Sequence, residues 1–273
     1  MKTLAEALAA ARARGIERLD AQLLLGHVLG RPRAWLLAHD DAALAPADAA
    51  RYAGLLARRR GGEPVAYLLG SKEFHGLDLQ VDARVLVPRP DTEVLVDWAV
   101  ELLRGELAAE APGVVDLGTG SGAIALALKH DCPAAAVTAT DTSRDALAVA
   151  GANAERLGLA VELLHGSWWQ PLAGRCFRLA LSNPPYIDGA DPHLAALAAE
   201  PRSALTPGAD GLRALREIVA GAAAHLEPGG WLLLEHGYDQ ADAVRRLLAD
   251  AGFAGIAMRR DLGGQPRCTG ARR

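Results

Sequence analysis

Val114-Val115-Asp116-Leu117-Gly118-Thr119-Gly120-Ser121-Gly122 is an apolar strand running into a glycine-rich turn, and Ala123 to Lys129 continue it as a helical run. Glycines at such a turn allow positive φ and let a ligand approach the backbone closely. The helix behind it presents unpaired N–H groups at its N-terminus. A nucleotide-like cofactor is expected, although the spacing is G-x-G-x-G and not the G-x-G-x-x-G of dinucleotide folds. A second strand, Ala136 to Thr140, ends at Asp141, near the separation from Asp116 at which an acidic residue reaches ribose hydroxyls. Asp141 either takes that role or caps the helix beginning near Ser143. Its place after a buried strand favours the ribose.

Outward from this turn, strands and helices alternate: strand 136–140, helix 144–157, strands 160–164 and 178–182, helix 210–225, strand 230–235 and helix 239–251. Residues from Gly252 through Arg259 suit a last strand, with a closing edge from Thr269 onward. The rhythm predicts an α/β fold with a mostly parallel sheet covered on both faces. Residues 1–70 carry helical patterns only, with Leu4, Leu8 and Ala11 on one face, Asp20 as a helix cap and Pro46 opening another helix. They read as a small all-helical bundle, either packing its own core or recognising a substrate. Between the two, Phe74, Leu77, Leu79 and Val81 partly alternate, which suggests a β-hairpin linker over 71–84. Residues 85–273 form the second, larger domain of this scheme. Pro88-Arg89-Pro90-Asp91-Thr92-Glu93 is a proline-pinned loop ahead of the helix Val94 to Leu103, where Asp91 or Thr92 is placed either to cap the helix or to close over a cofactor.

Asn183-Pro184-Pro185-Tyr186 follows the buried strand Arg178 to Ser182, at a C-terminal strand end where open α/β sheets bind ligands. Prolines have no N–H, so the carbonyls here are free to accept a hydrogen bond. The arrangement suits a planar –NH2 group, with acceptors on its hydrogens and the tyrosine ring over its face. The competing reading is a proline-rich turn.

Composition excludes several classes. Of 273 residues, 51% are hydrophobic and 23% charged, as in an ordinary globular protein. There is no apolar run of membrane-spanning length, and Met1-Lys2-Thr3 opens into an amphipathic pattern instead of a signal peptide. Three scattered cysteines and eight scattered histidines give neither a disulfide framework nor metal-ligand spacing, so a cytoplasmic protein without metal is expected. A net charge of −4 argues against a broad nucleic-acid surface. Arg12, Arg14, Arg58, Arg59 and Arg60 read as a solvated face or a partner contact.

The two motifs together resemble class I S-adenosylmethionine-dependent methyltransferases acting on planar nitrogen. Glu63-Pro64-Val65-Ala66-Tyr67, the 88–93 stretch, Glu200-Pro201-Arg202 and Leu234-Glu235-His236-Gly237 narrow the resemblance to the release-factor glutamine N5-methyltransferases, over nearly the whole chain. That resemblance implies a seven-stranded, mostly parallel Rossmann-like sheet. It also implies methyl transfer from S-adenosylmethionine to the glutamine amide of the Gly-Gly-Gln motif in peptide chain release factors. Gly118, Thr119, Gly120, Ser121 and Gly122 would then surround the cofactor's methionine, Asp141 its ribose, and Trp168 its adenine. Asn183 and the Pro184 carbonyl would hold the amide, with Pro185 and Tyr186 completing that site. Two departures stand out: Ser167 where the family often has aspartate, and His75 where an aromatic ring is common. A ribosomal-protein glutamine, an adenine or guanine amino group, or a non-catalytic nucleotide-binding scaffold are the alternative readings.

Overall fold

The computed structural model describes residues 3–273. Two compact units result: the chain through Ser71 together with Ala196–Ala199, and Lys72–Ala195 with Glu200–Arg273.

The first unit is helical: α1 (Leu4–Ala13), α2 (Arg18–Leu29), α3 (Arg33–Ala38), α4 (Pro46–Arg60) and α5 (Val65–Leu69). Thr3 opens α1 by accepting from the Glu6 N–H, and Gly30 ends α2 at φ +61°. Leu4, Leu24, Leu25, Leu36 and Leu56 fill the core around Tyr52, whose hydroxyl donates to the Ala21 carbonyl at 3.0 Å. A fully buried phenol without that partner would be costly. Asp20 is not the cap that the sequence suggested. Helix α2 starts two residues earlier, and the Asp20 carboxylate instead pairs with Arg59 at 2.7 Å. Arg58 is likewise paired, with Glu63.

A hairpin follows, β1 (Ser71–Phe74) and β2 (Leu77–Gln80), turned by His75 and Gly76 at φ +50° and +78°. Two successive positive φ values match the right-handed twist of a tight hairpin. The imidazole of His75 lies 3.0 Å from Asp97 and 3.5 Å from Asp131, so polar contacts occupy the position where an aromatic ring was expected. There follow α6 (Glu93–Arg104), β3 (Gly113–Leu117), α7 (Ala123–Asp131), β4 (Ala136–Asp141), α8 (Arg144–Leu157), β5 (Glu162–His165) and β6 (Phe177–Ser182). The rest is α9 (Arg202–Leu205), α10 (Arg213–His225), β7 (Leu226–Glu235), α11 (Ala241–Asp250), β8 (Ala254–Arg260) and β9 (Pro266–Arg272).

The seven strands β3 to β9 form one sheet in the order β5-β4-β3-β6-β7-β9-β8, parallel except for β9. Helix α7 buries Ala123 through Leu128, as a helix apolar on every side must. From β3 the chain winds outward to β4 and β5, then returns to β6 on the other flank of β3. The β3/β6 boundary is therefore the switch point at which such sheets open a crevice. The C-terminal strand departs from expectation. β9 is not the edge but runs antiparallel between β7 and β8, and β8 is the edge strand. Small residues explain this: a Cβ on Gly270 would stand 2.4 Å from Leu233 and 2.7 Å from Trp98, so only glycine fits beneath α6. Among the described residues no helix is long and apolar enough to cross a membrane.

Candidate active site

The loop after β3 is tied to the end of β4. The Gly118 and Thr119 N–H groups donate to the Thr140 carbonyl at 2.8 and 2.9 Å. Gly120 N–H donates to one oxygen of Asp141 at 2.9 Å, and Ser143 N–H to the other at 2.8 Å. Ser143, not Asp141, caps α8, accepting from Ala146 at 3.1 Å. Asp141 thus faces the glycine loop. Gly118 has φ +79°, and a Cβ there would meet the Trp168 ring at 3.0 Å. Both features demand glycine. Trp168 itself sits at φ +44°, with its indole N–H donating to Glu217 at 2.9 Å.

Gly118, Gly120, Asp141, Trp168, Asn183 and Pro185 line one cleft of about 170 Å³. Three members of the glycine motif do not reach its wall. Thr119 is buried with its hydroxyl on Asp116 at 2.6 Å; Ser121 is buried, its carbonyl taking Asn153 Nδ2 at 3.0 Å; Gly122 opens α7. Ser167 is also absent from the wall, its N–H turned to the Gln170 side chain at 3.4 Å. Sequence reasoning missed Arg84, Val85 and Leu86 on one side and Ser203 and Ala204 on the other.

The amide-bearing motif leaves β6 directly opposite. Ser182 Oγ donates to the Leu117 carbonyl at 2.6 Å, joining β6 to β3 where the strands end. Asn183 Nδ2 donates to Thr92 Oγ1 at 3.1 Å, and its Oδ1 and the Pro184 carbonyl make no hydrogen bond among the described residues. Tyr186 is held at both ends: its hydroxyl donates to Glu235 at 3.2 Å, and its carbonyl accepts from Gln240 at 2.9 Å. Its ring packs with the apolar cluster of β7 and α10 and does not line the cleft. Burial pushes the phenol's pKa up.

Three of the four family stretches meet here, which their sequence positions did not disclose. Glu200, with 3% of its side chain exposed, ion-pairs Arg89 at 2.5 Å and accepts from the Val87 N–H at 3.0 Å. Thr92 does not cap α6 with its side chain but turns to Asn183. Arg267 of β9 pairs with Asp261 at 3.0 Å and Asp91 at 3.4 Å. Burial holds His236 below its ordinary value, with Nε2 against Thr269 Oγ1 at 2.8 Å.

Two carboxyls stand out. Burial pushes Asp116 up to about 7, opposed by the Thr119 hydroxyl and by the first turn of α7 at Ala125, while Asp141 adds to the rise. Burial also pushes Glu235 up to about 7, against the Thr92 hydroxyl, Arg267 and Tyr186. For a carboxyl raised on folding, the stabilisation is complete below its unfolded value and is lost as pH rises through the folded one. Asp116→Asn is therefore expected to gain stability relative to the parent protein between about pH 5 and pH 8, on the order of 2 kcal/mol. Melting temperatures of the two proteins should diverge with pH; parallel curves would contradict the burial argument.

The sheet order, with a glycine turn after its first strand and the Asn183-Pro184-Pro185-Tyr186 turn after its fourth, is that of an α/β methyltransferase. Residues 92–210 match the family described as methyltransferase small domain, and residues 2–70 that described as PrmC N-terminal domain. The chain is 52% identical over 259 residues to the release factor glutamine methyltransferase of Bordetella pertussis, covering 94% of this chain and 95% of that one. It is 50% identical over 266 residues to that of Xylella fastidiosa, covering 96% of each. The chain belongs to the release factor glutamine methyltransferase family. A methyltransferase crystal structure from Pyrococcus furiosus shares the fold, with a TM-score of 0.55 at 19% identity over 81% of this chain and 98% of that one.

Proposed function

We propose that this enzyme methylates N5 of the glutamine in the Gly-Gly-Gln motif of peptide chain release factors, in the cytoplasm, using S-adenosylmethionine. The observation that carries the reading is the pair of unengaged acceptors, Asn183 Oδ1 and the Pro184 carbonyl, at the end of the strand beside the glycine turn.

The residues present suit the cofactor. Gly118 and Gly120 offer a wall without side chains, Trp168 an aromatic face, and Asp141 a carboxylate at the cleft. Asp141 would hold the ribose hydroxyls, and Trp168 would lie by the adenine. Bound there, S-adenosylmethionine supplies an electrophilic methyl group and leaves as S-adenosylhomocysteine.

A primary amide is a weak nucleophile because its lone pair is delocalised into the carbonyl. What the site must supply is orientation. Asn183 Oδ1 and the Pro184 carbonyl each accept one amide hydrogen, aiming the nitrogen lone pair out of the amide plane. The same two dipoles stabilise positive charge as it develops on nitrogen. Holding both reactants in near-attack geometry accounts for about 7–11 kcal/mol of barrier in favourable cases. Pro185 lines the cleft, and Tyr186, anchored through Glu235 and Gln240, fixes the path of the motif. The proton leaves to solvent after the bond forms.

The test is isotope transfer from labelled S-adenosylmethionine, with a release factor, its Gly-Gly-Glu variant, a ribosomal protein and DNA offered in parallel. Label is expected in the intact release factor alone. Equal labelling of the Gly-Gly-Glu variant, or labelling of DNA instead, would overturn the reading.

A further inference from the structure

Two segments that wall the cleft belong to no strand of the sheet. Arg84, Val85 and Leu86 lie on the stretch between β2 and α6; Pro201 opens α9, and Ser203 and Ala204 sit on its single turn. Neither segment holds its shape by itself. A stretch outside a sheet has no ladder to pair its backbone, and a four-residue helix is far shorter than an isolated helix needs.

Glu200 joins them. Its carboxylate, almost wholly buried, accepts from the buried Val87 N–H through Oε2 at 3.0 Å and pairs through Oε1 with Arg89 at 2.5 Å. An ionised carboxylate accepts at both oxygens at once, so one side chain serves a backbone N–H and a guanidinium together. Val87 directly follows Leu86, and Glu200 directly precedes Pro201, so the clasp is one residue from the cleft wall at both ends. The other ends of the two segments are tied separately. The Leu205 carbonyl accepts from the Ile187 N–H at 3.0 Å, just beyond Tyr186. Asp91 pairs with Arg267 at 3.4 Å, and Thr92 is held by Asn183 at 3.1 Å. We propose that Glu200 is a positioning residue for the cofactor: by clasping Val87 and Arg89 it sets the spacing of the 84–86 and 201–204 walls, and with it the affinity for S-adenosylmethionine. The Asn183 turn lies outside the clasp, so methyl transfer itself is spared.

The inference rests on the cleft being the cofactor's site, so the experiment begins with the parent enzyme, which should bind S-adenosylhomocysteine by calorimetry and label a release factor. Glu200→Gln keeps an acceptor for Val87 but sets an NH2 against Arg89. It should weaken S-adenosylhomocysteine binding about 10-fold and raise KM for S-adenosylmethionine to match. At saturating cofactor, kcat should stay near the parent's, the mark of an interaction made equally before and during transfer. Arg89→Met leaves the buried carboxylate without its countercharge. In the free variant the segments part and the carboxylate reaches water; binding must bring them together again, so the cost falls on affinity, about 10²-fold. Adding Glu200→Gln to Arg89→Met removes the charge and should restore affinity to about the level of Glu200→Gln alone, a second substitution that improves on the first. Arg89→Lys, which keeps the charge, should bind nearly as the parent does.

Parent-like affinity in both Glu200→Gln and Arg89→Met, losses that simply add in the double variant, or a fall in kcat with KM for S-adenosylmethionine unchanged would each overturn the inference. Should Arg89→Met not fold, Glu200→Gln and Arg89→Lys carry the test through the split between KM and kcat. A parent that binds no S-adenosylhomocysteine sinks the cofactor assignment of the cleft and this inference with it. A parent that binds it but leaves the release factor unlabelled sinks the substrate reading alone, and the affinities still decide the role of Glu200.

Discussion

Replacing Asn183 by alanine is expected to lower methyl transfer about 10²- to 10³-fold, the loss typical of removing one group that stabilises a transition state. On the proposed reading the side chain supplies one of two acceptors for an amide nitrogen that has little reactivity of its own. Without it the nitrogen is held by the Pro184 carbonyl alone and rotates about that single bond. Cofactor affinity should fall only modestly, because Gly118, Gly120, Asp141 and Trp168 stay in place around the cleft. Single-turnover transfer and calorimetry together check this. Near-normal turnover would show that the amide is gripped elsewhere.

Asp141→Ala should act the other way, on binding first. Its two oxygens already accept from Gly120 and Ser143, so the carboxylate fixes the loop and faces the cleft at once. Each hydrogen bond to a charged group is worth about 1.5–3 kcal/mol. Losing the proposed ribose contacts and slackening the loop should weaken S-adenosylhomocysteine binding by about 10²-fold or more. Asp141→Asn, which keeps one good acceptor, should fall between. Unchanged calorimetric affinity in the alanine variant would remove Asp141 from the site.

The parts legible in the sequence were those with local signatures. A run such as Val114 to Leu117 before three spaced glycines admits few structures, and the alternation after it sets a parallel sheet. Asp141 and Asn183 were singled out because the ends of buried strands are where such sheets bind, and both line the cleft. Which face of the glycine turn meets the cleft was not legible. The motif spacing is the same whether Thr119 and Ser121 face the cleft or, as here, are buried, with the Thr119 hydroxyl on Asp116 and the Ser121 carbonyl accepting from Asn153 of α8. The place of β9 depended on a tertiary fit, the room for Gly270 beneath Trp98, which no alternation pattern encodes. Thr92 read as a helix cap because capping is the local use of threonine before a helix. Its actual partner, Asn183, comes from the turn after β6, far along the chain.

The hydroxyl bridge from Ser182 to Leu117 has a further consequence. The glycine turn and the Asn183 turn are rooted on adjoining strands of one sheet, not on lobes that must swing shut. Their separation is fixed when the protein folds. On the proposed reading, a protein guest must thread its tip into this preset gauge and withdraw, which favours guests that offer the amide on a slender, protruding loop.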